Sequence, residues 1–201
     1  MTNNSVFIST RFPVNSKLID KDIYMDTNTI MNLYDNRNNH TTNNIKRFIS
    51  EVNANNSVLY YSQHGLDEMT TVLHKNYQNQ YKLLNQLNNT KEISKDEGKQ
   101  IFSQVYNEVK NFESDILSKI SNKITFETEE VDKMKIQLSL NTGMVVPDSK
   151  HIAIAKTNGI HSILTDDKDF LAAENLNIYG STKAIHDAFL SNPPTTYLKF
   201  D

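Results

Sequence analysis

Residues 22–35, DIYMDTNTIMNLYD, constrain the fold more than any other stretch of the chain. Ile23, Tyr24 and Met25 form a short apolar run of strand type, and Asp26 stands where the run stops. Thr27 onward reads as a helix, with Ile30, Leu33 and Tyr34 at helical spacing. A strand that passes through a carboxylate into a helix puts that carboxylate at the C-terminal edge of a sheet. In open α/β sheets this edge is where ligands bind.

The same alternation continues along the chain. Further strands are expected at residues 57–61 (SVLYY), 123–127 (KITFE), 160–165 and 176–179, with 6–8 as an edge strand ended by Pro13. After a polar loop at 35–44, the spacing of Ile45, Phe48, Ile49 and Val52 predicts a helix over 45–52. A long helix from Gln63 to about Leu87 carries Leu66, Met69, Leu73 and Tyr77 on one face. After a break at 88–93, Ser94 and Glu97 form a capping box. The helix that follows has its stripe at Ile101, Val105, Val109, Phe112, Ile116 and Ile120. These two helices predict an inserted hairpin arm over 76–122. Thr128 is the expected cap of a helix with Val131, Met134 and Leu138 inward, and a loop covers 141–146. Asp148 opens a helix that stops at Gly159, and Ser181 caps the last one. Strands alternating with helices imply a largely parallel sheet covered on both faces. The whole chain, 1–201, reads as one domain, with an N-terminal extension (1–21), the arm and a loop-like tail at 191–201.

Composition narrows the classes. At 201 residues the chain can bury roughly 70% of its unfolded surface. With 22% charged and 37% hydrophobic residues the balance is that of a globular protein. The net charge of -3 gives no global basic signal, so a nucleic-acid partner needs a local patch. The absence of cysteine excludes disulfides and thiolate metal sites. No apolar stretch suits a signal peptide or a bilayer span, so the expectation is a cytoplasmic protein with no membrane partner.

The acids carry the functional reading. Asp26 ends the first main strand, and Asp167 lies just beyond the strand at 160–165. Asp148 opens the helix leading into that strand, and Glu68 lies early in the helix after SVLYY. In a parallel sheet all four converge at one edge. Converging carboxylates repel, and a divalent cation relieves the repulsion. Oxygen ligands suit magnesium or manganese. Each acid alone has a plainer reading: Asp26 as a helix cap, Glu68 as a solvated helix residue, Asp148 as a helix-start acid, and Asp166 to Asp169 as a turn cluster. Their joint placement favours a site. His64 stands one turn before Glu68 and His151 one turn after Asp148. Zinc signatures such as HExxH are absent, so both are read as structural or substrate-facing. Tyr60 and Tyr61 read as core, while Lys46, Arg47, Lys150 and Lys156 read as solvated charges or a phosphate path.

MDTNTIMNLYD resembles the opening motif of PIN-domain proteins. QHGLDEMTTVL resembles their second motif, and VPDSKHIAIAKTNGIHSILTDDKDF their third and fourth. The resemblance implies a Rossmann-like α/β/α sandwich with five strands in the order 3-2-1-4-5, counted from residue 23. It also implies an endoribonuclease dependent on Mg2+ or Mn2+ that hydrolyses phosphodiester bonds of single-stranded or structured RNA. By motif match the catalytic and metal-site acids are Asp26, Glu68, Asp148 and Asp167, with Asp169 a fifth, variable metal-site acid. Asn28 matches the residue that supports the first acid. Thr165-Asp166-Asp167 stands where many members carry Thr-Arg-Asp, so Asp166 and Asp167 are both candidates to face the metal. The chain is longer than the compact toxins of toxin–antitoxin pairs. The expected partners are an RNA substrate and, left open, a second copy of the chain, an antitoxin or another protein. Two rival classes stand beside this reading. One is a non-catalytic RNA- or protein-binding module on the same fold. The other is a phosphoaspartyl enzyme, which wants an Asp where Asn28 stands.

Overall fold

The structure, a computed structural model, describes residues 5–35 and 39–191. Its centre is one sheet of six strands, every neighbouring pair parallel: β1 (Val6–Ser9), β2 (Asp22–Met25), β3 (Val58–Ser62), β4 (Asn122–Ile124), β5 (Ser162–Leu164) and β6 (Asn177–Gly180). The order across the sheet is β1-β6-β5-β2-β3-β4. The five main strands therefore lie in the expected order, and the N-terminal strand adds a sixth at the edge, beside β6.

Alternation along each strand sorts the side chains into two layers. Ile23 and Met25 of β2 join Leu59, Tyr61 and Leu164 in one cluster. Over them pack α1 (Thr27–Asp35), α2 (His40–Ala54), α3 (Gln63–Leu84) and α4 (Lys95–Phe112). Tyr24, Ile163 and Ile178 point the other way. They meet Val131 of α6 (Thr128–Thr142), Ile152 to Ala155 of α7 (Val146–Thr157), and Ile185 and Phe189 of α8 (Lys183–Ser191). Both faces of β2 are covered, which is why its sequence is a continuous apolar run.

Several boundaries differ from the sequence reading. The helix expected from Ile45 begins at His40, because Asn39 caps it: its side chain accepts the Thr42 N–H at 2.9 Å. The polar loop is shorter by that much; residues 36–38 of it, and 192–201 of the tail, lie outside the described residues. α3 stops at Leu84, and a 3-10 turn, Thr90–Glu92, occupies part of the break. The strand expected at 123–127 is the shorter β4. Glu127, not Thr128, precedes the first turn of α6. α6 runs on to Thr142 and ends on Gly143 at φ 76°, which shortens the loop at 141–146. The apolar stripe of α4 holds as far as Phe112, then slips by one residue. A π turn at Glu113–Leu117 inserts an extra residue, burying Leu117 and leaving Ile116 46% exposed. α5 (Ser118–Ile120) then leads into β4.

The arm is an antiparallel pair. Tyr77 and Tyr81 on α3 donate to Glu108 and Glu97 on α4, so rising number on one helix meets falling number on the other. Ser94 and Glu97 form the capping box as expected.

The order of strands reverses between β2 and β5, so a crevice opens at their C-terminal ends. Gly180, at the end of β6, packs tightly against this region. A Cβ there would lie 2.9 Å from Ile185 Cγ2 and 3.0 Å from the Thr165 carbonyl oxygen. Gly180→Ala is therefore expected to cost about 1–3 kcal/mol of stability. The measurement is the urea midpoint; an unchanged midpoint would show that α8 shifts without cost.

Candidate active site

Asp26 follows β2 directly and is 2% exposed. Its Oδ1 accepts the Thr29 N–H at 2.8 Å, so the carboxylate does cap α1. Its Oδ2 accepts the Thr165 hydroxyl at 2.6 Å. Burial pushes its pKa up to about 6, against the lowering effects of the Thr165 hydrogen bond, the His151 charge and Thr29. Capping and site roles coexist here, because the same carboxylate also lines the crevice.

Glu68 enters from the second turn of α3. Gly65 lets that helix come close: a Cβ there would lie 3.0 Å from Ile30 Cδ1 and 3.8 Å from His151 Cε1. Glu68 Oε2 accepts from the Thr27 hydroxyl at 2.5 Å and lies 2.8 Å from His151 Nε2. His64 Nε2 stands 3.4 Å from Glu68 Oε1. Burial by itself would raise the Glu68 pKa. The hydrogen bond and charge of His151, with Thr27 and His64, outweigh it and hold the carboxyl down at about 2. His64 moves the other way from its usual value: burial and the neighbouring His151 push it down to about 4, with Glu68 opposing.

Asp148 lies in the first turn of α7, behind Pro147. Burial, then the repulsion of Asp167, raises its pKa to about 6; Asp169 and Glu68 add to the rise and His151 opposes it. Asp167 follows β5, and its backbone N–H donates to Thr165 Oγ1 at 3.0 Å. Its Oδ1 accepts the Asp169 N–H at 2.9 Å, capping the 3-10 turn Lys168–Ala172.

One cavity of about 540 Å³ is lined by Asp26, Glu68, Asp148 and Asp167 together, with Asn28, Thr27, His64 and His151. The four principal acids are thus gathered at one edge. Asp166 and Asp169 do not line it. Asp166 turns to the start of α8, where it accepts the Ser181 N–H at 2.6 Å, the Thr182 N–H at 2.8 Å and the Ser181 hydroxyl at 2.8 Å. The cap of α8 is therefore Asp166 reaching across, rather than Ser181 alone. Asp169 is exposed and lines a neighbouring hollow with Lys168 and Leu171. Thr165 supports Asp26 and Asp167 through its hydroxyl.

Lys46, Arg47, Lys150 and Lys156 do not line the cavity. Arg47 pairs with Glu51, and Lys156 donates to the Glu174 carbonyl. Tyr61 is buried, with its hydroxyl on Glu113; Tyr60 donates to Asp22. The residues that sequence reasoning undervalued are His64 and His151. The signal was their one-turn spacing from Glu68 and Asp148, which puts each on the same helix face as an acid.

Comparison with protein-family profiles matches residues 23–176 to the PIN domain. The chain belongs to the PIN-domain family. No curated protein sequence matches it significantly. Among solved structures, VapBC2 from Rickettsia felis, bound to a DNA fragment from their promoter, is similar at 15% identity and TM-score 0.46, covering 78% of this chain and 96% of that one. VapC20 of Mycobacterium tuberculosis, a sarcin-ricin loop cleaving toxin, is similar at 18% identity and TM-score 0.46, covering 75% and 93%. FitAcB from Neisseria gonorrhoeae is similar at 16% identity and TM-score 0.46, covering 79% and 96%. Among the described residues no helix of this PIN domain is long and apolar enough to cross a membrane.

The raised Asp26 carboxyl makes metal-free stability depend on pH. The folded carboxyl titrates at about 6 and the unfolded one near 3.8, so between those values the folded state holds a proton that the unfolded state lacks. Stability therefore rises as pH falls through 6, by up to about 3 kcal/mol from Asp26. Asp148 adds in the same direction, whereas His64, held down at about 4, opposes both, because its unfolded imidazole takes up a proton below about 6.5 that the folded one lacks. Glu68 has a lowered pKa, and its contribution is lost only below about 4.5. In EDTA, the difference in melting temperature between the parent chain and Asp26→Asn is expected to shift in favour of the parent as pH falls from about 7.5 to about 5, the comparison cancelling the other groups. Calorimetry of both proteins across this range checks it; a difference that does not change with pH counts against the assignment.

Proposed function

We propose that this PIN-domain protein is a metal-dependent endoribonuclease. The observation that carries the reading is the charge balance of one cavity: four carboxylates line it, and among its described lining residues there is no lysine or arginine. Two of those acids sit at about 6, Asp26 through burial and Asp148 through burial and the repulsion of Asp167. A divalent cation supplies the missing positive charge, and an oxygen-rich donor set suits Mg2+ or Mn2+. Asp26, Asp148 and Asp167 are the residues to hold it, with Asn28 beside them. Bound there, such an ion lowers the pKa of a water and stabilises charge on phosphoryl oxygens during in-line displacement.

The chain's own groups divide the remaining work. Thr165 fixes the Asp26 carboxylate from one side and the α1 backbone from the other, so the first acid needs no reorganisation. Glu68 stays ionised at neutral pH and is a weak proton acceptor. Its role is to orient a water by accepting its hydrogen bond, and not to deprotonate it. His151 and Thr27 hold Glu68 in place. RNA as the substrate follows from the family resemblance; the residues themselves require a phosphodiester. The reading includes a cytoplasmic protein with a protein partner, an antitoxin or a second copy of the chain. Exposed Phe102, Tyr106, Leu83 and Leu84 on the arm are consistent with one.

Incubation with a mixed RNA pool tests the reading, with Mn2+, Mg2+ or EDTA and a parallel single-stranded DNA arm. Cleavage is expected with the ions and not with EDTA, and Asp26→Asn should lower it by about two orders of magnitude or more. Full cleavage in EDTA, or by the Asn variant, would defeat it. The neighbouring acids should separate cleanly. Asp167→Ala is expected to abolish cleavage with little loss of stability. Asp166→Ala should cost about 1–3 kcal/mol of stability, from the lost contacts to α8, and keep cleavage once folded. The reverse pattern would exchange their roles.

A further inference from the structure

Three donor groups on one side of the cavity form a set of their own. His64 and Glu68 lie one turn apart on α3, and His151 reaches toward them from α7. One donor atom from each side chain lies within 4.8 Å of the other two. His151 Nε2 is 2.8 Å from Glu68 Oε2, and His64 Nε2 is 3.4 Å from Glu68 Oε1. The two imidazole rings are 4.6 Å apart at their centres.

The orientation of His151 is built. Its Nδ1 meets the buried Tyr24 hydroxyl at 3.0 Å, and that hydroxyl pairs with Ser62 Oγ at 2.6 Å. The ring is left presenting Nε2 to Glu68. A second nitrogen held in this way is how proteins orient a metal-ligating histidine. Ligands about 2.0–2.2 Å from an ion at tetrahedral angles stand roughly 3.3–3.5 Å apart. The His64 contact to Glu68 Oε1, 3.4 Å, is already at that spacing, while the His151 contact to Oε2, 2.8 Å, has to open by roughly 0.5 Å. The donor atoms lie within 4.8 Å of one another, so the two imidazoles have at most roughly 1.5 Å to close.

We propose that His64, Glu68 and His151 form a binding site for a borderline divalent cation of the zinc class, adjacent to the acid set. Imidazole nitrogen selects zinc-type ions, whereas magnesium keeps to oxygen and sheds its waters reluctantly. The cavity therefore offers two chemistries: oxygen alone at Asp26, Asp148 and Asp167, and nitrogen with oxygen at the histidine side. An ion there would take the place of the contact between His151 Nε2 and Glu68 Oε2. The proposal goes beyond the nuclease reading and does not need RNA cleavage.

The test is calorimetric titration of the full chain with Zn2+ and separately with Mg2+, with Co2+ visible absorption as a report on nitrogen ligation. One equivalent of Zn2+ is expected to bind. His64→Ala should weaken zinc by at least about tenfold and remove the Co2+ band, with the fold checked by circular dichroism. His151→Asn should do the same and serves as the second variant. Asp26→Asn should leave zinc affinity unchanged. Failure of the full chain to bind zinc, or binding unaffected by His64→Ala, overturns the proposal. The two readings fail separately. Histidine-dependent zinc binding without RNA cleavage keeps this site and removes the nuclease. Asp26-dependent cleavage without zinc binding does the reverse.

Discussion

The hydrogen bond from Thr165 to Asp26 joins the ends of β2 and β5 where the order of the sheet reverses. Around it the backbone is stitched from both sides. The Asp26 N–H donates to the Leu164 carbonyl at 3.2 Å, and the Thr29 hydroxyl donates to the same oxygen at 2.8 Å. Thr165 Oγ1 also accepts from the Asp167 N–H. One threonine thus sets the first acid, which in turn caps α1, and the approach to Asp167. A buried carboxylate is costly unless its oxygens are paired, and each oxygen of Asp26 has a partner. The remaining cost appears as the raised pKa.

The electrostatics of the cavity are uneven, and the unevenness is informative. Asp26 and Asp148 are pushed up by burial and, for Asp148, by Asp167, while Glu68 is pulled far down by His151. Acids on the same edge therefore sit in opposite environments. The raised ones lack a positive neighbour of sufficient strength. The lowered one already has two hydrogen-bond partners, Thr27 and His151, on Oε2. This separates carboxylates suited to holding a hard cation from one suited to orienting a neighbour.

The central strand and the gathering of four acids were legible because each rests on local pattern, and the order of the five main strands because the motifs resemble those of PIN-domain proteins. Ile23 to Met25 read as buried on both faces, and Asp26 as the end of that run. The resolution of Asp166 against Asp167 was not legible. Both follow the same strand, and only the position of α8 shows that Ser181 and Thr182 claim Asp166. The burial of Leu117 in place of Ile116 was hidden for a related reason: a π turn changes the period without any marker in composition. Asn39 as a cap was masked by the asparagine-rich stretch around it. His151 was underestimated because its partners, Tyr24 and Glu68, are 127 and 83 residues away in sequence.

The arm grows from the site's own helices. α3 is 22 residues long, about 33 Å, and its first two turns carry His64 and Glu68 while its far end carries Leu83 and Leu84. α4 returns with Val105, Val109 and Phe112 into the same cluster as Ile30 and Leu66. At the root, Glu108 accepts from Tyr34 of α1 and Tyr77 of α3, so one carboxylate ties three helices together. Tyr34 also packs edge-on against Phe112, with ring centres 5.5 Å apart. The helix that begins just after Asp26 and the helix that bears Glu68 are therefore braced by the arm's inner half. In the outer half, beyond Glu97 and Tyr81, the turn Thr90–Glu92 packs on the far end of α3, away from the site. The boundary between scaffold and elaboration falls within the arm, at about the level of Val105, rather than at its junction with the sheet.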